Sequence, residues 1–513
     1  MRSSRSSSQS STAEMVSPKA NELNEDEKKY RPRLTFYAAW TASFVSLVGL
    51  WQYGFSIGSI NAAYGPVTDA IRQQYEGRFN MTIPSSFVDA IWVTSSAAYP
   101  IGGIIGCLFV GPIVRKFGRL RGLLLGHVIT VFFSILLGLV GVLNSPELLI
   151  LSRVGIGFTS GAIGTGISVM YVIEISPQHL RGAFGSLISV GINFGLIGGN
   201  VLGLPQALGN SRFWPLLCSI TGLPSVIFIL LYKTLPESPR KVFMEDRNEE
   251  KAIQILRRLN GVQDVSRDLI QMNQERNSLE TSQQMTVKQL ISSAALRSSV
   301  IAALVISSAQ QVTGLNGVSF NMNNIYLQAG IQQSYVHYCS IGVTILILFF
   351  QLFSVGLTEK YGRKILLTSG YAIEGMSLIL LTVSIELRQH SNAFSFVAVG
   401  ASLGFWVGFG LGPGPATLLV VAEFFEQTSR SAAVTVSTIV LWIGFVLTVV
   451  VTPYMMAAMG GYTFLPYGIV ALLSVAFIYY KVPETKNRSF SEIQRSFGKK
   501  MEVITEVTDE SSI

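Results

Sequence analysis

The sequence predicts an all-α membrane protein: twelve transmembrane helices in two parallel six-helix repeats, joined by a cytoplasmic helical linker. Three observations predict it. Of 513 residues, 49% are hydrophobic and only 13% are charged, with a mean hydropathy of +0.44, whereas an ordinary soluble chain is about 25% charged. Apolar stretches long enough to cross a bilayer, roughly 20 residues each, recur along the chain. Short motifs of the first half return in the second, in order and at nearly one offset.

The elements follow in order. Residues 1–33, opening MRSSRSSSQSSTAEM, are polar and Ser-rich, and they predict a disordered arm without a cleavable signal. Spans are predicted near 36–60, 87–111, 121–143, 147–172, 183–204 and 213–233, and again near 298–328, 336–357, 364–385, 395–421, 432–456 and 463–481. In lipid only helices among open structures pair all their backbone groups, and the Gly and Pro residues within the spans permit close contact and bends. The first bundle is residues 34–233 and the second 298–482. Between them, 234–297 contains KVFMEDRNEEKAIQILRRLNG. Lys241, Glu245, Glu249, Ile253 and Leu256 fall there at helical spacing, which predicts short amphipathic helices on the cytoplasmic surface. Residues 483–513 form a cytoplasmic tail.

Charge sets the orientation. Arg115, Lys116, Arg119 and Arg121 follow span 2; Arg240, Lys241, Arg257 and Arg258 follow span 6. Lys360, Arg363 and Lys364 follow span 8, and Lys486 and Arg488 follow span 12. All lie on the N-terminal side of a twelve-span chain, so both termini are expected in the cytoplasm. Asn80, in the sequon Asn-Met-Thr, lies between spans 1 and 2 on the opposite side and is the expected glycosylation acceptor. The net charge of +8 is spread over these loops and forms no aromatic-interleaved basic stripe, so no nucleic-acid partner is expected. Cys107, Cys218 and Cys339 are widely spaced within apolar stretches, which is neither a disulfide framework nor a metal site. No nucleophile–base pair or phosphate-cradling loop stands out. The expectation is no enzyme, no metal and no cofactor, with the lipid bilayer and a small solute as partners and the oligomeric state open.

The repeat is specific. Lys116-Phe117-Gly118-Arg119 returns as Lys360-Tyr361-Gly362-Arg363, at an offset of 244. Glu174 with Arg181 returns as Glu423 with Arg430, at 249, and Pro236-Glu237-Ser238 returns as Pro483-Glu484-Thr485, at 247. Two such repeats are the architecture of a rocking transporter that binds its solute between the halves near the midplane.

The motifs point to a family. PESPR at 236–240, PETKNRSF at 483–490, GPIVRKFGR at 111–119 and SRVGIG at 152–157 resemble signatures of the sugar porters of the major facilitator superfamily. MYVIEISPQHLRGAFG at 170–185, QQVTGLNG at 310–317, and GPGP at 412–415 followed by AEFF at 422–425 extend the likeness over about residues 36–495. The nearest subgroup is the animal facilitative hexose carriers, including the fructose type. The resemblance implies the major facilitator fold and a plasma-membrane carrier for a hexose such as glucose or fructose, working by alternating access. Two other readings stay open: a carrier of the same fold for a polyol or an organic anion such as urate, and a solute sensor without transport.

The resemblance also implies site residues. Gln310, Gln311 and Asn316 match the family's sugar-contacting amides, and a hexose needs such partners in an otherwise apolar cavity. Trp442 matches an aromatic lining position. Asn321 and Ser189 hold further places along the same path, but with altered chemistry: Phe320-Asn321 stands where two tyrosines are common, and Ser189 where span 5 usually carries Gln. Ile345 replaces an Asn, Gly410 a Glu, Leu418 a Trp and Leu441 an Asn, so the cavity is less polar than a glucose site should be. Arg119, Glu174, Arg181, Glu359, Arg363, Glu423 and Arg430 match a cytoplasmic gate whose salt bridges link the halves. Arg115 departs from the usual Asp or Asn of its loop, and Leu120 from a second basic residue. Ser56 stands where proton-linked relatives carry an Asp in span 1, which favours uniport. Glu374 falls inside span 9, and an intramembrane carboxylate is a functional candidate.

Overall fold

The computed structural model describes residues 35–177, 181–281, 285–486, 488 and 490–497, and among them there is no strand. The predicted arm 1–33 and most of the tail 483–513 lie outside the described residues. The first half contains α1 (Phe36–Ala62), α2 (Tyr64–Phe79), α3 (Ser85–Phe117), α4 (Arg119–Leu143), α5 (Pro146–Ile175), α6 (Arg181–Leu202) and α7 (Trp214–Thr234). Four linker helices follow: α8 (Pro239–Met244), α9 (Glu249–Asn260), α10 (Ser266–Thr281) and α11 (Val287–Ser292). The second half contains α12 (Arg297–Val312), α13 (Leu315–Phe320), α14 (Met322–Gln328), α15 (Gln333–Tyr361), α16 (Arg363–Leu387), α17 (Ala393–Leu411), α18 (Pro413–Glu423), α19 (Gln427–Met459) and α20 (Phe464–Lys481). A short tail helix, α21 (Phe490–Ser496), closes the order.

Among the described residues, nine helical segments are long and apolar enough to cross a membrane. One of them, Thr428–Lys481, is interrupted at Gly460, where φ is +54°, so it holds both α19 and α20. Helix α1 is as long as a span but presents more polar side chains, and α6 contributes the shorter apolar stretch Leu187–Leu202. Helix α1 buries Thr41, Ser46, Gln52, Ser56 and Ser59 among its neighbours.

The sequence reading treats 61–86 as a plain loop; the structure places α2 there. Val67, Ile71 and Tyr75 recur every fourth residue and are the positions it buries. Asn80 ends the helix in the left-handed region at φ +50° and is exposed, a position open to modification.

Close backbone contact holds the first half together. Helices α1 and α6 meet through Gly54 and Gly58 on one side and Gly191, Gly195 and Gly199 on the other. A Cβ on Gly54 would lie 1.8 Å from the Ile192 carbonyl, and one on Gly195 would lie 2.1 Å from that of Trp51. Small residues every fourth position let membrane helices approach this closely. Helix α5 carries a π-helical stretch, Ser160–Ser168, a departure frequent at functional sites. The halves join where α3 packs on α19, α6 on α15, and the end of α1 on α13 and α14.

The linker helices cap the first half. Thr35 caps α1, and its hydroxyl donates to the Leu259 carbonyl of α9 at 2.7 Å. Arg258 stacks over Tyr37 at 3.9 Å. Before α10, Asp264 accepts from the Ser266 amide and hydroxyl at 2.9 and 2.6 Å, which holds its carboxyl below the usual range.

Candidate solute site and charge clusters

Each half carries one charge cluster, built from the start of its third long apolar helix, the end of the next and the segment after its last. In the first half, Gly118 turns the chain between α3 and α4 at φ +80°, a conformation that favours glycine. Arg119, the first residue of α4, then bonds Glu174 near the end of α5 at 3.1 Å, and also Glu245 of the linker. Ser238 donates to Glu174 as well. Glu237 accepts from the Leu120 amide at 3.1 Å, satisfying an orphan donor of the α4 N-terminus.

The second half repeats this construction. Gly362 turns at φ +93°, Arg363 opens α16, and its guanidinium lies 3.3 Å from Glu423 at the end of α18. Glu484 accepts from the Arg363 and Lys364 amides at 3.0 and 3.1 Å. The repeat read from sequence is therefore a repeat of hydrogen bonds. The expected gate bridges link half to half; among the described residues these two acid–base pairs run within each half or to the linker. Each half carries its own acid and base, so each closes its own cluster. Arg430 donates twice to the Phe425 carbonyl at 3.2 Å and turns back on the end of its own segment. The side chains of Arg181 and Glu359 lie outside the described set.

The predicted solute residues gather around a break in the second half. Helix α12 ends at Val312, Gly314 adopts φ +89°, and α13 begins at Leu315. The break brings Asn316 back to Gln311, and the two amides bond each other. Gly444 of α19 meets Gln311 where a Cβ would lie 2.6 Å from the Gln311 Cβ. Trp442, two residues earlier on α19, reaches into the first half. Its ring lies 5.6 Å from Tyr53, 6.0 Å from Tyr99 and 5.7 Å from Phe445, and it covers Gly103. Gln311 and Asn316 thus sit against α19, and Trp442 carries the same helix into contact with the first half.

Gln310 points elsewhere. It donates to the Pro413 carbonyl at 2.9 Å, at the α17–α18 break. Asn321 is turned back on the Gly317 carbonyl at 2.8 Å, one turn earlier. Ser189 is half-buried, and its carbonyl accepts from Asn193 at 2.8 Å.

Sequence reading missed two amides. Asn193 of α6 donates to Gln351 of α15, a bond that crosses from half to half in the middle of both helices. They lie four residues beyond Ser189 and six beyond Ile345, the positions where polarity looked lost. Ile345 itself is 52% exposed on the outside of its helix. The signal was available: an amide in a hydrophobic span has to be satisfied by another helix. A third group, Asn61, donates to the Ser319 carbonyl at 2.6 Å, and its own carbonyl accepts from Asn323 at 3.4 Å, tying the far ends of α1 and α13–α14.

A cavity of about 750 Å³ opens on the flank of the first half, lined by Gln73, Gln74, Arg78, Arg212 and Trp214 among others. It is confined to one half, so it cannot serve a path between halves. Among the described residues no group of three or more His, Cys, Asp or Glu side chains could hold a metal.

A family model described as "Sugar (and other) transporter" matches residues 41–497. The chain belongs to the sugar transporter family. Solute carrier family 2, facilitated glucose transporter member 3, from Homo sapiens is 35% identical over 470 residues, 92% of this chain and 93% of its own length. Facilitated glucose transporter member 4 from Mus musculus is 36% identical over 460 residues, 89% of this chain and 90% of its own. The fold is also that of the proton:xylose symporter XylE bound to 6-bromo-6-deoxy-D-glucose, with a TM-score of 0.74 at 20% identity over 91% of this chain and 100% of the other. This sugar transporter is thus a multi-pass membrane protein, without a strand among its described residues, that shares its fold with a major facilitator superfamily symporter and is not an enzyme.

Proposed function

We propose that this chain carries a hexose across the plasma membrane by facilitated, uncoupled alternating access, with both termini cytoplasmic and twelve crossings. The observation that carries the reading is the Gln311–Asn316 amide pair at a glycine break, packed on α19, the helix whose Trp442 reaches the first half. Amides and an aromatic face are what a polyhydroxylated solute needs. The twelve crossings are the nine apolar segments, with Thr428–Lys481 counted as two, plus α1 and α6. Asn80 on the outer side and the basic loops on the inner side support the orientation.

Uncoupled transport is supported by Ser56. Arg153 is almost wholly buried; it donates to the Ser56 carbonyl at 3.0 Å and lies 4.6 Å over Tyr99. Backbone carbonyls and a ring, not a carboxylate, are the partners of this cation, and its second amino group has none among the described residues, so no acid stands at that place to exchange a proton. The Asn61–Ser319 bond closes the far side between the halves, as alternating access requires of one state.

Uptake into proteoliposomes against labelled glucose, fructose, xylose, a polyol and urate tests the proposal. A hexose should equilibrate without accumulating under an inward proton gradient. Accumulation driven by that gradient overturns the uncoupled reading, and uptake of the polyol or urate in place of any hexose overturns the substrate.

A further inference from the structure

Glu374 lies inside α16 with 1% of its surface exposed, and neither carboxylate oxygen has a partner at hydrogen-bonding distance. The groups around it are uncharged. Tyr371 lies one turn earlier on its own helix, and the Thr313 hydroxyl faces it from the end of α12. From α17 comes Gly408, where a Cβ would stand 3.1 Å from the Glu374 Cγ. Among the described residues no cation pairs with it. An uncompensated carboxylate at such depth costs several kcal/mol, and a group so placed keeps its proton instead. A protonated carboxyl is a hydrogen-bond donor.

The internal repeat indicates what that donor does. Helices α4 and α16 both begin at an arginine and both run 25 residues. Glu374 occupies on α16 the place that Thr130 occupies on α4. Thr130 donates to Gln52 of α1 at 2.9 Å, so the outer helix of the first half holds the helix that lines the path. In the second half the corresponding lining helix is broken, and Thr313 is the residue next to the break at Gly314.

We propose that Glu374 is a positioning residue, kept as a protonated acid beside Thr313, that forms the missing hydrogen bond to the Thr313 hydroxyl by a small side-chain adjustment and so fixes the break on which Gln311 and Asn316 sit. The first half makes this link with a hydroxyl and an amide. The second makes it with an acid and a hydroxyl, because Thr313 is shorter than Gln52 and needs a longer partner. Only the consequence for transport rests on reading Gln311 and Asn316 as solute ligands.

The test uses the full-length protein and three forms: native, Glu374→Gln and Glu374→Leu. Infrared spectra at neutral pH should show the carbonyl band of a buried protonated carboxyl in the native protein, lost in Glu374→Gln. Hydrogen exchange across residues 311–321 should stay unchanged in Glu374→Gln, which keeps a donor, and run about tenfold faster in Glu374→Leu. The transport KM should rise in the Leu form and be rescued in the Gln form. An ionised Glu374 in the native spectrum overturns the proposal, as does equal exchange in the Gln and Leu forms. Absence of hexose uptake by the native protein would sink the proposed function alone, since the spectra and exchange rates judge Glu374 without a solute.

Discussion

The two halves repeat their charge clusters closely, yet their path-lining helices differ. Helix α1 runs unbroken for 27 residues and presents hydroxyls and two amides, Gln52 and Asn61. Its counterpart in the second half is split into α12, α13 and α14, with Gly314 in the left-handed region and Asn321 between the last two pieces. Repetition therefore preserves what anchors the helix ends at the charge clusters and relaxes the first helix of the half. The lesson is that a duplicated scaffold can break a helix in one copy alone; in the function proposed above, that copy holds the solute. A continuous helix shifts as a rod, whereas a helix broken at glycine can bend locally without unpairing the rest.

The largest effect should come from removing that articulation. In Gly314→Val a β-branched residue would be forced to φ +89°, and its Cβ would lie 2.6 Å from the Tyr467 ring. Left-handed strain costs about 1–2 kcal/mol before the clash is counted. Transport should be lost and the thermal unfolding midpoint lowered. Retained transport would show that the break is not needed.

Next come the amides it carries. Gln311→Ala or Asn316→Ala leaves the other amide unpaired as well as a solute hydroxyl, at roughly 1–3 kcal/mol. The expected loss in affinity is about ten- to a hundredfold, with surface abundance kept. The double variant should fall short of the product of the singles, because the two residues bond each other. If abundance falls while affinity holds, both residues support folding instead.

A smaller and graded effect is expected at the clusters. Glu174→Gln should open the cytoplasmic side to a thiol reagent more than Glu423→Gln. Glu174 is 7% exposed and serves both Arg119 and Ser238, while Glu423 is 25% exposed. Equal labelling of both variants, at the native level, would mean that neither cluster gates the path. The smallest effect belongs to Asn80→Gln: loss of a glycan-dependent gel shift in a glycosylating host, with transport unchanged. A native protein that shows no such shift would reverse the proposed orientation of α2.

The sequence by itself determined the class of the molecule. Apolar length forces helices, since lipid offers the backbone no partners. The repeated KFGR–KYGR, Glu-x6-Arg and PES–PET motifs marked the correspondence of the two halves, because Arg119–Glu174 and Arg363–Glu423 form at matching helix ends. The break at Gly314 was legible for the same local reason. The tertiary structure alone decided which amides converge. Gln310 and Gln311 are adjacent, and a helix turns by about 100° per residue, so only packing could send one to Pro413 and the other to Asn316. Asn193 and Gln351 lie 158 positions apart on different halves and meet only where α6 crosses α15. Glu374 follows the same rule: its helix was readable, but its isolation from every charge depends on the three helices around it.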